Sequence, residues 1–243
     1  MRITERFSRE TARDYALRMI KHNITTLDLA PGSMVSENEL SEAMGLSRTP
    51  IREALIELAK IQIVEILPQR GSRIALVDYN LVEESRFLRL TLEKAIVELA
   101  CAMADTLDFS IIDANLKLQA FYVENNVPEK LMEMDDEFHK ELFRLTNKLR
   151  TYHLMNNMTL HFDRVRSMSL MTIKEIKIVN DHAAIVQAIR DKNALEAVAA
   201  VTKHLSRYQV DEQAIREKYP SYFYPNSVYK APRPVPGIIQ KQA

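Results

Sequence analysis

The sequence predicts a mostly α-helical protein: an N-terminal winged helix-turn-helix with a small β-hairpin wing, then an all-α helical bundle, then an extended C-terminal tail. Three observations support this prediction. Apolar residues recur at three- and four-residue steps along most of the chain, which is typical of amphipathic helices. Only one pair of short β-branched runs, on either side of residues 68–71, indicates a hairpin. Three of the four glycines fall early, at turns that such a unit needs.

The bulk composition is that of an ordinary globular chain with room for two domains. The 243 residues carry 33 Lys and Arg against 33 Asp and Glu, so any prediction of nucleic-acid binding must rest on local arrangement. The single cysteine, Cys101, excludes an intrachain disulfide. No apolar run reaches the roughly 20 residues that span a bilayer, and the first residues lead into no apolar signal core. We therefore expect a cytoplasmic protein with no membrane partner.

The first 77 residues predict three short helices followed by the hairpin. The helices are expected at about 9–23, 36–44 and 47–61, with glycine at the turn after each of the first two and at the tip of the hairpin. Two helices joined by a tight turn containing Gly45 match helix-turn-helix geometry, in which the second helix enters the DNA major groove.

The third predicted helix opens with a basic segment suited to DNA. Either Ser47 or Thr49 could cap this helix, and Pro50 is tolerated because it lies in the first turn. Unpaired backbone N–H groups at a helix N-terminus attract phosphate. Arg48 and Arg52, four residues apart, project from one face, where a guanidinium can bind a phosphate or a guanine edge.

The hairpin carries two further arginines. Arg70 and Arg73 flank the turn at Gly71 and are expected to reach an adjacent DNA backbone or minor groove. The alternative interpretation for any single arginine in this domain is a solvated ion pair, with Glu53 and Glu57 as partners on an ordinary helical domain.

From about residue 80 onward, the periodicity predicts a bundle of six or so helices. The first runs from Leu81 to Met103, with Asn80 and Glu83 as a cap for its start. The others are expected at about 110–125, 129–146, 150–168, 181–191 and 194–217. Prolines and aromatic residues mixed beyond residue 218 indicate an extended tail with aromatic anchors. The predicted division is therefore a DNA-binding domain at 1–77, a helical effector and metal-binding domain at 78–217, and a tail at 218–243.

Four residues of the predicted bundle have metal-ligating side chains. Asp135 and His139 are four apart on one helix face, His182 opens another helix, and His204 sits mid-helix further on. One carboxylate and three imidazoles from different helices suit a divalent ion, Zn²⁺ foremost and Ni²⁺, Mn²⁺ or Fe²⁺ as alternatives, with positions left for a ligand's oxygens. Spacing alone leaves open that each histidine is a surface residue or a satisfied core residue.

Residues 9–77 resemble the GntR family of bacterial regulators. The resemblance rests on the segment 29–55, above all its Ser-Arg-Thr-Pro-Ile-Arg-Glu-Ala-Leu string, and on the glycine of the wing. It implies palindromic operator DNA bound by a homodimer. The positions that match the family's DNA contacts are Arg48, Thr49 and Arg52, with the wing at Gly71. Asn38 stands where some members have an arginine, so the phosphate contact made there is missing or replaced.

Residues 80–217 resemble the FCD effector domain of the FadR-type branch of that family. The matching strings are Arg89-Leu-Thr-Leu-Glu93, Asp135-x-x-x-His139, Asp181-His182-x-x-Ile-x-x-Ala-Ile and His204-Leu205. The resemblance implies a divalent metal on Asp135, His139, His182 and His204. It also implies that an arginine at Arg89 binds a small carboxylate effector, although Arg86 could do the same and a salt bridge to Glu93 is the structural alternative. Four competent ligands disfavour the metal-free, acyl-CoA-binding variant.

The sequence therefore favours a ligand-responsive transcription regulator, more commonly a repressor in this family, over two alternatives. A metal-dependent enzyme would need a further acid or base at a fixed spacing from the ligands, and only Asp136 and Glu137 are near. A pure protein-interaction module would not need paired DNA-binding and ligand-binding signatures. We expect no enzymatic activity.

Overall fold

The structure, a computed structural model, describes residues 1–172 and 176–225. Its helical fold and small sheet confirm the predicted fold class. Eleven α-helices lie in the described residues: α1 (Ala12–Thr25), α2 (Glu37–Met44), α3 (Arg48–Lys60), α4 (Tyr79–Met103), α5 (Ser110–Glu124), α6 (Pro128–Leu145), α7 (Leu149–Asn156), α8 (Leu160–Thr172), α9 (Ile176–Arg190), α10 (Ala194–His204) and α11 (Tyr208–Lys218). The strands are β1 (Met34–Val35), β2 (Val64–Leu67) and β3 (Gly71–Ile74). None of these helices is both long and apolar enough to cross a membrane.

The N-terminal helices begin and end where the sequence supplies caps. The Thr11 side chain accepts a hydrogen bond from Asp14 N at the start of α1. At the start of α2, Ser36 and Glu39 form a reciprocal capping box, which satisfies two backbone donors. Gly45 ends α2 in the left-handed conformation (φ 63°), which glycine adopts without steric cost. The tight turn from α2 into α3 therefore follows from local sequence.

The wing is a three-stranded antiparallel sheet in the order β1-β3-β2. The hairpin of β2 and β3 was predicted, whereas β1 was not, because a two-residue strand is too short to show an alternating pattern. Gly71 begins β3 opposite Leu67 with a φ of 95°. A Cβ there would lie 3.1 Å from the Val35 carbonyl oxygen, so the close approach of β1 also needs glycine.

Four predicted helix boundaries in the second half were wrong. The helix expected to start at 181 starts at Ile176. Helix α4 starts at Tyr79 with Asp78 as its N-cap, not at a cap on Asn80. The single helices expected at 150–168 and 194–217 are each two helices, broken at residues 157–159 and 205–207. No glycine or proline marks either break, so neither has a stop signal in the sequence.

Two main hydrophobic clusters form the core. The first joins α1, α2, α3 and the wing around Ile20, Ile51 and Leu55. The second lies within the helical bundle around Phe138 and Ile185. Ile74 belongs to the first cluster and Val77 to the second. The domain boundary at residue 77 stays a prediction. Leu160 of α8 is the exception, because it packs with the first cluster although its helix belongs to the bundle.

The beginning of the predicted tail is anchored by aromatic residues. The buried Phe223 ring stacks on Tyr79, with centroids 5.5 Å apart. Val77 N donates to Tyr222 O at 2.8 Å, and the Tyr224 hydroxyl donates to Glu65 of β2 at 2.8 Å. This part of the tail therefore returns to the junction between wing and bundle. The remaining tail residues, 226–243, lie outside the described residues.

Candidate metal centre and nucleic-acid interface

The fold brings all four predicted metal ligands to one point inside the bundle. Asp135 and His139 lie one turn apart on α6, His182 lies within α9, and His204 ends α10. All four are buried, and one ligand atom from each lies within 4.8 Å of the others. His182 was expected to open its helix, but α9 begins six residues before it. His204 was expected to lie mid-helix, but it is the last residue of α10.

The donor atoms have the spacing that a tetrahedral ion requires. The Nε2 atom of His204 is 3.0 Å from that of His139 and 3.2 Å from that of His182. The Oδ1 atom of Asp135 lies 3.4 Å from His182 Nε2 and 3.8 Å from His204 Nε2. Atoms bound at about 2.0–2.1 Å around a tetrahedral ion lie about 3.3 Å from one another. The four residues therefore fit a divalent metal with α6, α9 and α10, the helices that carry them, in their present positions.

Neighbouring side chains set which nitrogen of each ring is free. His139 Nδ1 lies 2.6 Å from Glu93 Oε2 on α4, and His182 Nδ1 lies 2.7 Å from Gln119 Oε1 on α5. Because these acceptors favour a proton on Nδ1, the Nε2 lone pairs of both rings point at the common centre. Gln119 is itself held by its amide nitrogen, which donates to Asn115 Oδ1 at 2.6 Å. Outer partners of this kind are typical of metal-binding histidines.

The electrostatics favour neutral imidazoles. Burial lowers the pKa of His139, although Glu93 opposes the shift, and lowers the pKa of His182 and His204 well below the ordinary value. Burial alone would raise the pKa of Glu93, but His139 and Arg89 lower it to about 2. Neutral rings beside the ionised Glu93 leave lone pairs at the centre and a negative charge next to it, and both attract a cation.

Arg89, the predicted effector-binding residue, lies beside this centre but is buried and already paired. Its Nε donates to Glu93 Oε1 at 2.6 Å, the pair that the sequence offered as the structural alternative, and its Nη1 lies 3.3 Å from Asp163 Oδ1. Arg86, the other candidate, pairs with Glu83 one turn back along α4. Burial raises the pKa of Asp163 to about 6, against the opposing charge of Arg89.

Arg166 on α8 is the residue of this centre that the sequence reasoning missed. Its guanidinium is in direct contact with Asp135, and its Nη1 donates to Asp163 Oδ1 at 2.8 Å. It therefore places a positive charge on a predicted metal ligand. The sequence did carry one signal, because charged residues are spread along this segment without an amphipathic period. The structure shows what that means, since residues 160–170 of α8 are all buried.

Two hollows adjoin the centre. A cavity of about 30 Å³ touches Asp135, Arg166 and His204, which is room for about one water molecule. A much larger cleft of about 790 Å³ separates α1 from α6, α7 and α8, and Asp163 is among its lining residues. The small cavity thus has room for a water-sized group beside the centre, and the adjoining cleft has room for a larger molecule.

The predicted DNA-contacting residues of α3 lie on an open surface. Arg48, Thr49 and Arg52 are exposed. Ser47 is the N-cap, but its side chain makes no capping hydrogen bond and Thr49 lies inside the helix, so the expected side-chain cap is absent at this end of α3. The first-turn N–H groups are therefore left to a phosphate or to water.

The ion pair of Arg52 differs from the expected one. Its guanidinium binds Glu37 of α2 with both Nε and Nη2 at 2.8 Å, rather than Glu53 or Glu57. The Arg52 side chain is nevertheless 63% exposed. A pair this exposed contributes little stability, and a phosphate can replace the carboxylate at small cost.

The wing presents one open and one paired arginine. Arg70 is exposed at the turn beside Gly71, and no side-chain partner for it lies within the described ranges. Arg73 lies on β3 and donates from Nε to Glu65 of the adjacent strand at 3.0 Å. Arg70 is therefore better placed to reach DNA than Arg73, whose charge already stabilises the hairpin.

Comparisons with known proteins match both halves of the chain. The family model described as bacterial regulatory proteins, gntR family, matches residues 13–74, and the FCD domain model matches residues 84–207. A transcriptional regulator of the helix-turn-helix type from Streptomyces ambofaciens is 32% identical over 88% of this chain and 90% of its own length. The repressor RspR of Escherichia coli is 28% identical over 85% of this chain and 91% of its own. The solved structure of E. coli McbR/YncC covers 86% of this chain and 99% of its own at 17% identity, with a TM-score of 0.73, a likeness in fold.

Proposed function

The chain belongs to the GntR family of bacterial regulatory proteins, carries an FCD domain and is therefore a DNA-binding transcription regulator, and we propose that its helical domain binds a divalent metal ion and a small carboxylate effector. The family and its relatives are regulators rather than enzymes, as expected from the sequence. The observation that carries the proposal is the convergence of Asp135 and three imidazole Nε2 atoms at one buried point.

Two of the converging nitrogens supply the chemical reason for a metal. Glu93 and Gln119 engage the Nδ1 atoms of His139 and His182, so their Nε2 lone pairs face each other across the centre. The Nε2 atom of His204 lies 3.0 Å from that of His139 and 3.2 Å from that of His182, and one N–H there cannot satisfy both lone pairs fully. An unsatisfied buried lone pair is costly, and a divalent cation binds all of them at once. Zn²⁺ is the first candidate, and Ni²⁺, Mn²⁺ or Fe²⁺ would accept the same donors.

The effector proposal rests on two arginines that share one carboxylate. Asp163 lies between Arg89 at 3.3 Å and Arg166 at 2.8 Å. A carboxylate effector offers the same chemistry as Asp163, and oxygens that also bind the metal. Because the adjoining cavity holds only about 30 Å³, effector binding requires Arg166 to leave Asp135. We propose Arg89 and Arg166 together as the residues that bind the effector carboxylate.

On the DNA side, we propose that Arg48, Thr49 and Arg52 contact the operator from the exposed start of α3, with Arg70 and Gly71 of the wing on the adjacent backbone. Arg73 takes part only after releasing Glu65. The protein then acts in the cytoplasm, where its operator is. We propose repression, which the name of the relative RspR supports.

The same proposal includes a homodimer on a palindromic operator. Helix α5 leaves Ile111, Leu118 and Phe121 exposed at steps of seven and three residues, so they form one apolar stripe on its outer face. A stripe of this kind is more stable when covered, and a second copy of the chain would cover it symmetrically.

Metal analysis of the purified protein tests the proposal. Wild-type protein reloaded with Zn²⁺ is expected to hold one ion per chain, and His139→Ala and His182→Ala are expected to hold none. His153→Ala, which removes an exposed histidine of α7, is the matched control and should retain the ion. Thermal shifts with a panel of small carboxylates should appear only in the metal-loaded protein. Wild-type protein that takes up no metal would contradict the proposal.

A further inference from the structure

Helix α8 buries an arginine that the metal and effector sites do not use. Arg164 is fully buried, and none of the described residues offers it a carboxylate. Its Nη1 donates to the Ala75 carbonyl at 2.7 Å, and its Nη2 lies 3.1 Å from His161 Nδ1. Burial lowers the pKa of Arg164 to about 10. A buried charge held only by neutral acceptors is costly, so its position calls for an explanation.

His161 continues this connection to the DNA-binding domain. Burial lowers the pKa of His161 to about 4, so the ring is neutral. Its Nδ1 accepts from Arg164, which leaves the proton on Nε2, and Nε2 lies 2.7 Å from the Ile61 carbonyl. Ile61 is the C-cap of α3, the helix predicted to enter the major groove, and Ala75 follows the wing strand β3.

Two more contacts tie this end of α8 to the same domain. Leu160, the first residue of α8, is buried in the hydrophobic cluster of α1, α2, α3 and the wing. Just before α8, Asn157 accepts a hydrogen bond from Lys21 of α1 at 2.8 Å. The start of α8 is therefore packed into the DNA-binding domain by apolar as well as polar contacts.

The opposite face of α8 belongs to the metal centre. Each residue advances about 100° around an α-helix, so positions two apart face nearly opposite directions and positions three apart share a face. His161 and Arg164 accordingly share the face toward the DNA-binding domain. Asp163 and Arg166 share the other face, where they contact Arg89 and Asp135.

We infer that α8 couples the metal centre to the DNA-binding domain, with His161 and Arg164 as positioning residues that hold the end of α3 and the wing. The inference rests on the proposed function, because it takes the metal centre as the input. When a metal or effector displaces Arg166 from Asp135, the face of α8 toward the metal centre loses one of its buried ion pairs with α6. A packed helix moves as a unit, so the carbonyls held by His161 and Arg164 move with it.

Hydrogen–deuterium exchange tests this coupling on the full chain, with Zn²⁺ as the probe. Wild-type protein is compared Zn²⁺-loaded and chelator-stripped, and exchange is read in peptides that cover residues 58–77 and in peptides of the metal centre. We expect Zn²⁺ to change exchange in both sets of peptides. In Arg164→Met the change at the metal centre should remain, while the change at 58–77 is lost. Arg144→Met, which removes an arginine paired with Glu141 on α6, is the matched control and should behave as wild type.

A second readout is affinity for a DNA duplex selected from a random pool by wild-type protein. Zn²⁺ should change this affinity in wild type by roughly 5- to 150-fold, the usual range of allosteric coupling, and by less than about 2-fold in Arg164→Met. If Arg164→Met fails to fold, His161→Ala, which removes only one of the contacts, decides the same question.

Two outcomes would overturn the inference. One is Arg164→Met or His161→Ala that transmits the Zn²⁺ effect to residues 58–77 as wild type does. The other is wild-type protein that binds Zn²⁺ with no change at 58–77. Wild-type protein that binds no Zn²⁺ would instead overturn the proposed function, and the coupling with it.

Discussion

The exposed start of α3 and the buried centre of the bundle both use charged side chains, but they compensate those charges differently. Arg52 is paired with one carboxylate, Glu37, in contact with water. Arg166 and Asp135 are buried and in contact with each other, and Asp163, Arg89 and Glu93 extend the same network. Solvent screens the first pair, so exchanging its partner for a phosphate costs little. In the buried set every charge depends on its neighbour, so binding there has to rearrange several groups.

A substitution of Asp135 in the buried centre is expected to have the largest effect on metal binding and on stability. Asp135→Ala removes a metal ligand and one of the carboxylates of the buried Arg166. We expect no Zn²⁺ binding and a loss of roughly 3 kcal/mol of unfolding free energy, the lower end for a broken buried pair, since Asp163 remains as a partner. Urea denaturation of metal-free protein measures the loss. Asp135→Asn, which keeps the shape, should lose less stability; equal stability of Asp135→Ala and wild type would contradict the account.

The corresponding change on the exposed surface should affect only DNA. Arg52→Ala is expected to weaken binding to a duplex selected by wild-type protein by roughly 5- to 150-fold, and to make the affinity less dependent on salt. Zn²⁺ content and thermal stability should not change, because the side chain is exposed. Arg13→Ala removes an arginine that pairs with Glu57 and serves as control. Unchanged duplex affinity in fluorescence anisotropy would show that Arg52 does not contact DNA.

A neutral residue sharpens the comparison, since Gln119 bears no charge but orients a ligand. Gln119→Leu leaves His182 Nδ1 without its acceptor at 2.7 Å. Replacing such an outer partner typically weakens metal affinity about 10- to 100-fold. Competition with a chromogenic chelator measures the shift, and Gln187→Leu on the exposed side of α9 is the control. An affinity equal to wild type would mean that the His182 ring is positioned by packing alone.

The smallest effect on stability is expected at the N-cap of α2, the helix that precedes α3. Ser36→Ala removes the side-chain half of the capping box with Glu39. The expected loss is about 1 kcal/mol of unfolding free energy, with Zn²⁺ binding unchanged. Chemical denaturation of the metal-free protein measures it, and a loss above about 2 kcal/mol would indicate a role beyond capping.

The two regions also differ in how far sequence reasoning reaches. Arg48, Thr49 and Arg52 lie within one helical turn, so local spacing was enough to place them on one surface. The metal ligands lie up to 69 positions apart (135 to 204). Their residue types and spacing suggested a site but left each histidine open as a surface or core residue, and the family resemblance favoured the metal interpretation. Arg166 was missed because its role depends on Asp135 and Asp163. A contact between side chains of different helices produces no repeating pattern of residue types along the sequence.

The sequence also failed to predict two helix breaks, again because contacts between distant elements leave no local pattern. The breaks at 157–159 and 205–207 interrupt helices without a glycine or proline. At one of them, Leu160 packs with the hydrophobic cluster of the DNA-binding domain, a contact that the local sequence does not show. The sequence predicts helices from their apolar faces, but it does not show which neighbour each face will meet.

X-ray absorption spectroscopy of Zn²⁺-loaded protein tests the central claim most directly, because it reads the ligand shell itself. The account predicts three imidazole nitrogens at about 2.0–2.1 Å with a carboxylate oxygen, and the loss of one imidazole signal in His204→Ala. A shell made only of oxygen, or a spectrum unchanged in His204→Ala, would contradict the assignment of the buried centre as the metal site.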